Sequence, residues 1–177
     1  MISDLFPSET ARDVFSIDYE RLYRLGYRGL LFDIDNTLVH HGDDSTPKID
    51  ALLARIKAMG FKLLMLSNNS EERIVRFLKN IDAEYIALAD KPNPTSYHQA
   101  CQKLGLKEKQ VIVIGDQLIT DIKGANLAGI ASIHVHFIQL PEEKWIGWRR
   151  YIEYAILTLY RIQGNPRYKI ERIEGDE

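Results

Sequence analysis

Apolar residues along this chain fall into two alternating patterns. One is a short, mostly apolar run, seen at Leu30–Ile34, Phe61–Leu66, Tyr85–Leu88, Val111–Ile114 and Ile130–Phe137. Runs of this length, rich in branched residues, read as strands covered on both faces. The other pattern has three- and four-residue spacing and reads as helix. Ile49, Leu52, Leu53, Ile56 and Met59 follow Thr46 as N-cap and Pro47 at the first helical position, and Gly60 closes the segment. Ile74, Phe77 and Leu78 follow a Ser70-Glu71-Glu72 start. Tyr97, Ala100, Cys101 and Leu104 end at Gly105, and a helix capped by Thr120 and Asp121 ends near Gly129. Upstream, Ser8 to Phe15 reads as a short helical piece, and Ser16-Ile17-Asp18 starts a helix ended by Gly26.

Strand and helix therefore alternate. That order predicts an α/β fold: a Rossmann-like doubly wound parallel sheet of about five strands, with helices on both faces and right-handed crossovers. The expected division is a helical lead-in over residues 1–27, an α/β core over 28–140, a C-terminal helix over 141–164 and a polar tail over 165–177.

The 177 residues suffice for one domain with a sizeable core. A net charge of −2 supplies no field for nucleic acid, so none is expected as a partner. The single Cys101 excludes an internal disulfide and falls in a helical pattern as a packing residue. The first residues lack a secretory pattern, and no apolar run is long enough to span a bilayer, so the expected location is cytoplasmic.

The chemistry collects where strands end. In open parallel sheets the carboxyl ends of the strands form the ligand crevice. The first run ends on Asp33, Asp35 and Thr37; buried carboxylates are costly to desolvate without a partner. Two carboxylates aimed at one space point to a cation, a shared proton, or both. A calcium loop fails, because Thr37, Leu38 and Asp44 stand where that loop needs an acidic residue or Asn, a Gly and a Glu. The other strand ends offer Ser67 with Asn68, Lys91, and Asp116 with Asp121. Taken alone, Ser67 also fits a helix cap, and Lys91 a solvated lysine.

In order and type these residues resemble the haloacid dehalogenase-like phosphohydrolases. The matching motifs are Asp33-Ile-Asp-Asn-Thr37, Ser67, Lys91 before Pro92, and Gly115-Asp116 through Asp121. The resemblance implies a phosphatase. Asp33 would attack phosphorus and form an aspartyl-phosphate, while Asp35 would act as acid and then base. Thr37 and Ser67 would donate to phosphoryl oxygens, with Asn68 a secondary substrate contact, and Lys91 would balance charge. Mg²⁺ would be held by Asp33, the Asp35 backbone carbonyl, Asp116 and Asp121.

Neither gap between motifs has room for a cap domain. Within the family, Val14-Phe15-Ser16-Ile17, Ser67-Asn68-Asn69, Lys91-Pro92 and Gly115-Asp116-Gln117-Leu118 resemble the capless YqeG-type phosphatases (subfamily IIIA), which are related to phosphatidylglycerophosphate phosphatases. Asn93-Pro94-Thr95 departs from that pattern. The implied substrate is a lipid phosphate. The open alternatives are a soluble sugar, nucleotide or macromolecular phosphate, and a module that accepts phosphate without releasing it. Asp35 argues against the module.

Trp145, Trp148, Ile152, Ala155, Leu159 and Ile162 form an apolar stripe on the C-terminal amphipathic helix, with Arg149, Arg150 and Arg161 and several tyrosines alongside. The stripe suits packing on the sheet, or peripheral contact with the inner face of a membrane. Both hold if the helix packs by one edge only. His40 and His41 sit in the loop beside the site. Neither they nor His134 and His136 bring the further His or Cys ligands that a metal site of that type needs.

Overall fold

A computed structural model describes residues 1–142, 147–164 and 169–173. Trp145 and most of the tail segment lie outside the described residues. The sheet has six parallel strands, β1 (Glu9–Ala11), β2 (Gly29–Phe32), β3 (Lys62–Leu66), β4 (Glu84–Ile86), β5 (Val111–Gly115) and β6 (Ala131–Val135), in the order β1-β6-β5-β2-β3-β4. The helices are α1 (Tyr19–Arg24), α2 (Pro47–Ala58), α3 (Glu71–Phe77), α4 (Pro94–Leu104), α5 (Lys123–Leu127) and α6 (Trp148–Gln163). Thr46, Ser70 and Asn93 cap α2, α3 and α4 through their side chains.

Strand alternation builds two cores. Leu30, Phe32, Met65 and Ile114 face the core covered by α1, α2 and α3, whereas Leu31, Leu64, Leu66 and Val113 face the one covered by α4 and α5. Each large side chain so buried contributes about 1.5–3 kcal/mol before entropy is set against it. The register matters for the site. Phe32 of β2 lies beside Met65 of β3 and Ile114 of β5. The chain therefore leaves all three strands at one level, and Asp33, Ser67 and Asp116 emerge together.

Three local expectations are corrected. Ser8 to Phe15 is not helical: Glu9–Ala11 pairs with β6 as an edge strand, and only Val14–Ser16 forms a 3₁₀ turn, capped by Asp13. A three-residue polar edge strand has no apolar run to reveal it. Thr120 is not a cap either. It lies inside a π-helical turn, Leu118–Ile122, that runs into α5. Finally, the strand read as Ile130 to Phe137 ends at Val135.

No cap domain interrupts the core. Residues 38–66 hold a loop, α2 and β3, and residues 68–90 hold α3, a 3₁₀ turn and β4. In the tail segment, Ile170 and Ile173 pack against the α1–α3 core, and the Ile173 N–H donates to the Leu25 carbonyl at 2.7 Å.

The C-terminal helix packs by one edge. Glu153, Ile156 and Leu157 are buried and Arg150 and Tyr160 half-buried, whereas Trp148, Tyr151, Ile152, Tyr154, Leu159 and Ile162 are exposed. The apolar stripe thus faces away from the sheet. What holds the helix is a small cluster of Ile156 and Leu157 with Phe6, Leu118 and Ile122, and a polar clasp at its first turn.

Candidate active site

Asp33, Asp116 and Asp121 are buried, and each offers a carboxylate oxygen such that all three lie within 4.8 Å of one another. β2 delivers the first and β5 the second. The third reaches in from the π turn, whose wider winding carries Asp121 back toward the strand it follows. Gly115 makes that return path available: a Cβ there would lie 2.4 Å from the Asp121 carboxylate carbon. The Gln117 N–H donates to Asp121 Oδ2 at 3.1 Å, and the Tyr97 hydroxyl donates to the Thr120 carbonyl at 3.0 Å, fixing the turn from α4.

Lys91 enters this group from the loop after β4. Its Nζ donates to Asp33 Oδ1 at 2.7 Å and to Asp121 Oδ1 at 2.6 Å. Burial alone would lower the lysine pKa, but Asp121 and Asp33 push it above the ordinary value, so Lys91 is a fixed cation. Asn68 holds the Lys91 backbone from both sides: the Lys91 N–H donates to Asn68 Oδ1 at 2.8 Å, and Asn68 Nδ2 donates to the Lys91 carbonyl at 3.3 Å. Its side chain thus anchors the lysine loop.

Thr37 Oγ1 sits 3.1 Å from Asp116 Oδ1 and 3.4 Å from Asp33 Oδ2. One hydroxyl proton serves one acceptor at a time, and the nearer is Asp116. Ser67 is buried; its Oγ accepts from the Asn69 N–H at 3.2 Å and Asn69 Nδ2 at 3.1 Å, leaving its own proton to donate.

Asp35 stands apart from the acidic group. Its Oδ1 accepts from the Gly42 N–H at 2.8 Å and Arg73 Nη2 at 2.9 Å, and Asn69 Nδ2 donates to its Oδ2. Burial would raise this carboxyl; the Gly42 N–H and the Arg73 guanidinium outweigh it and hold the pKa below the usual range. Arg73 also donates to the Asp43 carbonyl at 2.6 Å, and Arg76 to the Gly42 carbonyl at 2.6 Å, so α3 cinches the loop over Asp35. His41 Nδ1 lies 3.9 Å from Asp35 Oδ1, and His40 is half-buried in the same loop.

On the far side, Arg150 of α6 pairs with Asp116 through the carboxylate Oδ2, and its Nη1 donates to the Asp116 carbonyl at 3.0 Å. His134 Nε2 donates to that same carbonyl at 3.0 Å; burial lowers the imidazole to about 4, so it is neutral. The sequence places none of Arg73, Asn69 and Arg150 at the site: Asn69 enters only as part of a motif, and Arg150 only as a cation on the C-terminal helix. Each belongs to a helix or turn whose own pattern explains it.

Three clustered carboxylates face two cations, Lys91 and Arg150. Desolvation is the main reason that the Asp33 and Asp116 pKa values are raised, and repulsion from neighbouring acids adds to it. A hard divalent cation relieves both effects, and an all-oxygen donor set of few carboxylates suits Mg²⁺. The residues present therefore fit that ion.

A family model described as haloacid dehalogenase-like hydrolase matches residues 41–129. Over 92% of its length the chain is 30% identical to the Probable phosphatase YqeG of Bacillus subtilis, covering 95% of that protein. The chain belongs to the haloacid dehalogenase-like hydrolases. Within that family it is a phosphatase-type member. It is also 27% identical over 73% of its length to the chloroplastic Phosphatidylglycerophosphate phosphatase 1 of Chlamydomonas reinhardtii, of which it spans 52%. Among solved folds, an uncharacterized protein from Listeria monocytogenes superposes with a TM-score of 0.53 at 20% identity, over 76% of this chain and 99% of that one. This last likeness concerns the fold alone. The matched stretch contains Lys91, Asp116 and Asp121, and Asp33 precedes it.

Proposed function

We propose that this chain is a Mg²⁺-dependent phosphatase that hydrolyses a phosphate monoester through an aspartyl-phosphate on Asp33, with phosphatidylglycerophosphate as substrate. The observation that carries the reading is the meeting of Asp33, Asp116, Asp121 and Lys91 at the ends of adjacent strands.

Asp33, Asp116 and Asp121 would hold the ion, with the Asp35 backbone carbonyl; the bound ion offsets charge on the phosphate and the acids. Asp33 attacks phosphorus as the carboxylate, and Lys91 aims it and opposes the pull of burial toward the neutral acid. Thr37 and Ser67 donate to the phosphoryl oxygens, with the Asn68 backbone at the same turn. Asp35, which Gly42 and Arg73 hold ionised, would have to take up a proton before giving it to the leaving oxygen, and would then take one from the water that releases phosphate.

The lipid assignment rests on two supports. The site has no cap, so a large substrate must help exclude water. Beside the site, α6 turns Trp148, Ile152, Leu159 and Ile162 outward with Arg149 and Arg161, a pattern suited to a lipid interface. Among the described residues no helix is long and apolar enough to cross a membrane, so this contact would be peripheral.

The test is phosphate release from phosphatidylglycerophosphate in mixed micelles, compared with soluble sugar and aryl phosphates, with Mg²⁺ and with excess chelator. The lipid should be preferred and the chelator should abolish turnover. Preference for a soluble ester would move the substrate to the second class considered, leaving the chemistry intact.

A further inference from the structure

α6 meets the acidic group through Arg150, and the geometry of that contact is over-determined. The guanidinium spans the Asp116 carboxylate, the Asp116 carbonyl at 3.0 Å and Glu153 Oε2 at 2.9 Å. Glu153 in turn accepts the Leu118 N–H at 2.9 Å through Oε1. Leu118 opens the π turn that carries Asp121. Asp116, Arg150, Glu153 and Leu118 thus close a circuit linking two members of the acidic group to one helix.

The circuit is buried. Asp116 is 0% exposed, Glu153 is 5% exposed, and the Arg150 side chain is 13% exposed. Lys91 donates to Asp33 and Asp121, so Asp116 takes its counter-charge from Arg150. Glu153 is also the only acidic residue in α6 and is turned inward, although an exposed amphipathic helix has every reason to keep charges in water. Burying an Arg–Glu pair here is costly unless it fixes something. What it fixes is the orientation of the Asp116 carboxylate, held by Arg150 on Oδ2 and, until a phosphoryl oxygen takes its proton, by Thr37 on Oδ1.

We propose that Arg150 is a positioning residue for the divalent-cation site, and that the clasp of α6 is part of what makes Asp116 a competent ligand. This rests on the reading of the acidic group as a Mg²⁺ site. Partners that orient a metal ligand are worth about 10–100-fold in metal affinity. The same contact makes α6 a physical link between its outward apolar face and the metal ligand.

The experiment is Mn²⁺ binding, read as loss of the free-ion paramagnetic signal, for the full chain and for Arg150→Ala, Arg150→Lys, Glu153→Gln and Arg149→Ala. Arg150→Ala should weaken binding about 10–100-fold, and ethylguanidinium in solution should restore part of it. Arg150→Lys keeps the charge but loses the two-nitrogen grip, so it should fall between. Glu153→Gln, which leaves Arg150 its charge but loosens its aim, should weaken binding less than Arg150→Ala. Arg149→Ala should match the wild type. Circular dichroism identifies any variant that has unfolded, and Arg150→Lys and Glu153→Gln carry the test if Arg150→Ala does.

Unchanged or tighter binding in folded Arg150 variants would overturn the proposal, tighter binding meaning that the guanidinium competes with the ion. Failure of the wild type to bind Mn²⁺ would instead sink the metal reading beneath it.

Discussion

Gly115 and Asp121 approach so closely that a Cβ on the glycine would lie 2.4 Å from the Asp121 carboxylate carbon and 2.5 Å from its Oδ2. The contact is to a short side chain pinned by Lys91 and the Gln117 N–H, so neither partner can yield cheaply. Gly115→Ala should displace Asp121, cost about 1–3 kcal/mol as overpacking does, and weaken activity more than stability. Urea unfolding and phosphate-release assays on the same preparation check this. An alanine variant with wild-type turnover would show that Asp121 is dispensable.

Stability should depend on pH in a way set by the acidic group. Burial, with repulsion from the neighbouring acids, raises Asp33 and Asp116, so the fold keeps protons that the unfolded chain has already released. Stability from these two is full below the unfolded value near 3.8 and declines as pH rises through the folded values. His134, lowered to about 4, opposes one of them until the unfolded imidazole deprotonates. Two raised carboxyls outweigh one lowered imidazole, so the net contribution of the three is stability lost as pH rises from the unfolded carboxyl value near 3.8 toward neutrality. Urea midpoints in chelator should fall across that window, and Mg²⁺ should flatten or reverse the trend. A rising midpoint in chelator would contradict the burial of these acids.

The fate of Asp35 depends on Arg73, which lies 2.9 Å from it and helps hold its pKa down. In the proposed mechanism Asp35 must be protonated to help the leaving group depart. Arg73→Met removes a lowering influence, so the alkaline limb of the kcat/KM profile should move to higher pH. A pH–rate profile of the variant decides it. An unmoved limb would mean that Asp35 does not set that limb.

Much of this was legible in the sequence, for a physical reason. Asp33, Ser67, Lys91 and Asp116 each follow an apolar run, and parallel strands in register bring such ends to one level. What was not legible came from faces and partners. The spacing of Trp148, Ile152, Ala155, Leu159 and Ile162 announces an amphipathic helix, but periodicity cannot say which face meets the core. Here Arg150 and Glu153 make the inward face partly ionic, inverting the usual pattern. Arg73 reads as an ordinary helix-surface cation until α3 is placed over the loop holding Gly42. Glu9–Ala11 lacks any run, and pairs as a strand only because β6 offers it an edge.

The outward stripe of α6 leads to a separate expectation. Trp148, Ile152 and Leu159 are exposed, so each replacement by serine should change stability by no more than about 0.5 kcal/mol. The triple variant should lose flotation with anionic liposomes that retain the wild type. Equal flotation of both proteins would dismiss this surface as the lipid contact.

The central claim is that Asp33 is the nucleophile of a Mg²⁺-dependent phosphatase. Its most direct test is acid quench of the enzyme during turnover, followed by mass spectrometry of the peptide spanning Asp33, with Asp33→Asn in parallel. The account predicts a phosphoryl group on Asp33, labile to hydroxylamine and absent in chelator, and a folded Asp33→Asn variant without turnover. Undiminished turnover in that variant, or a phosphoryl group trapped on another residue, would contradict it.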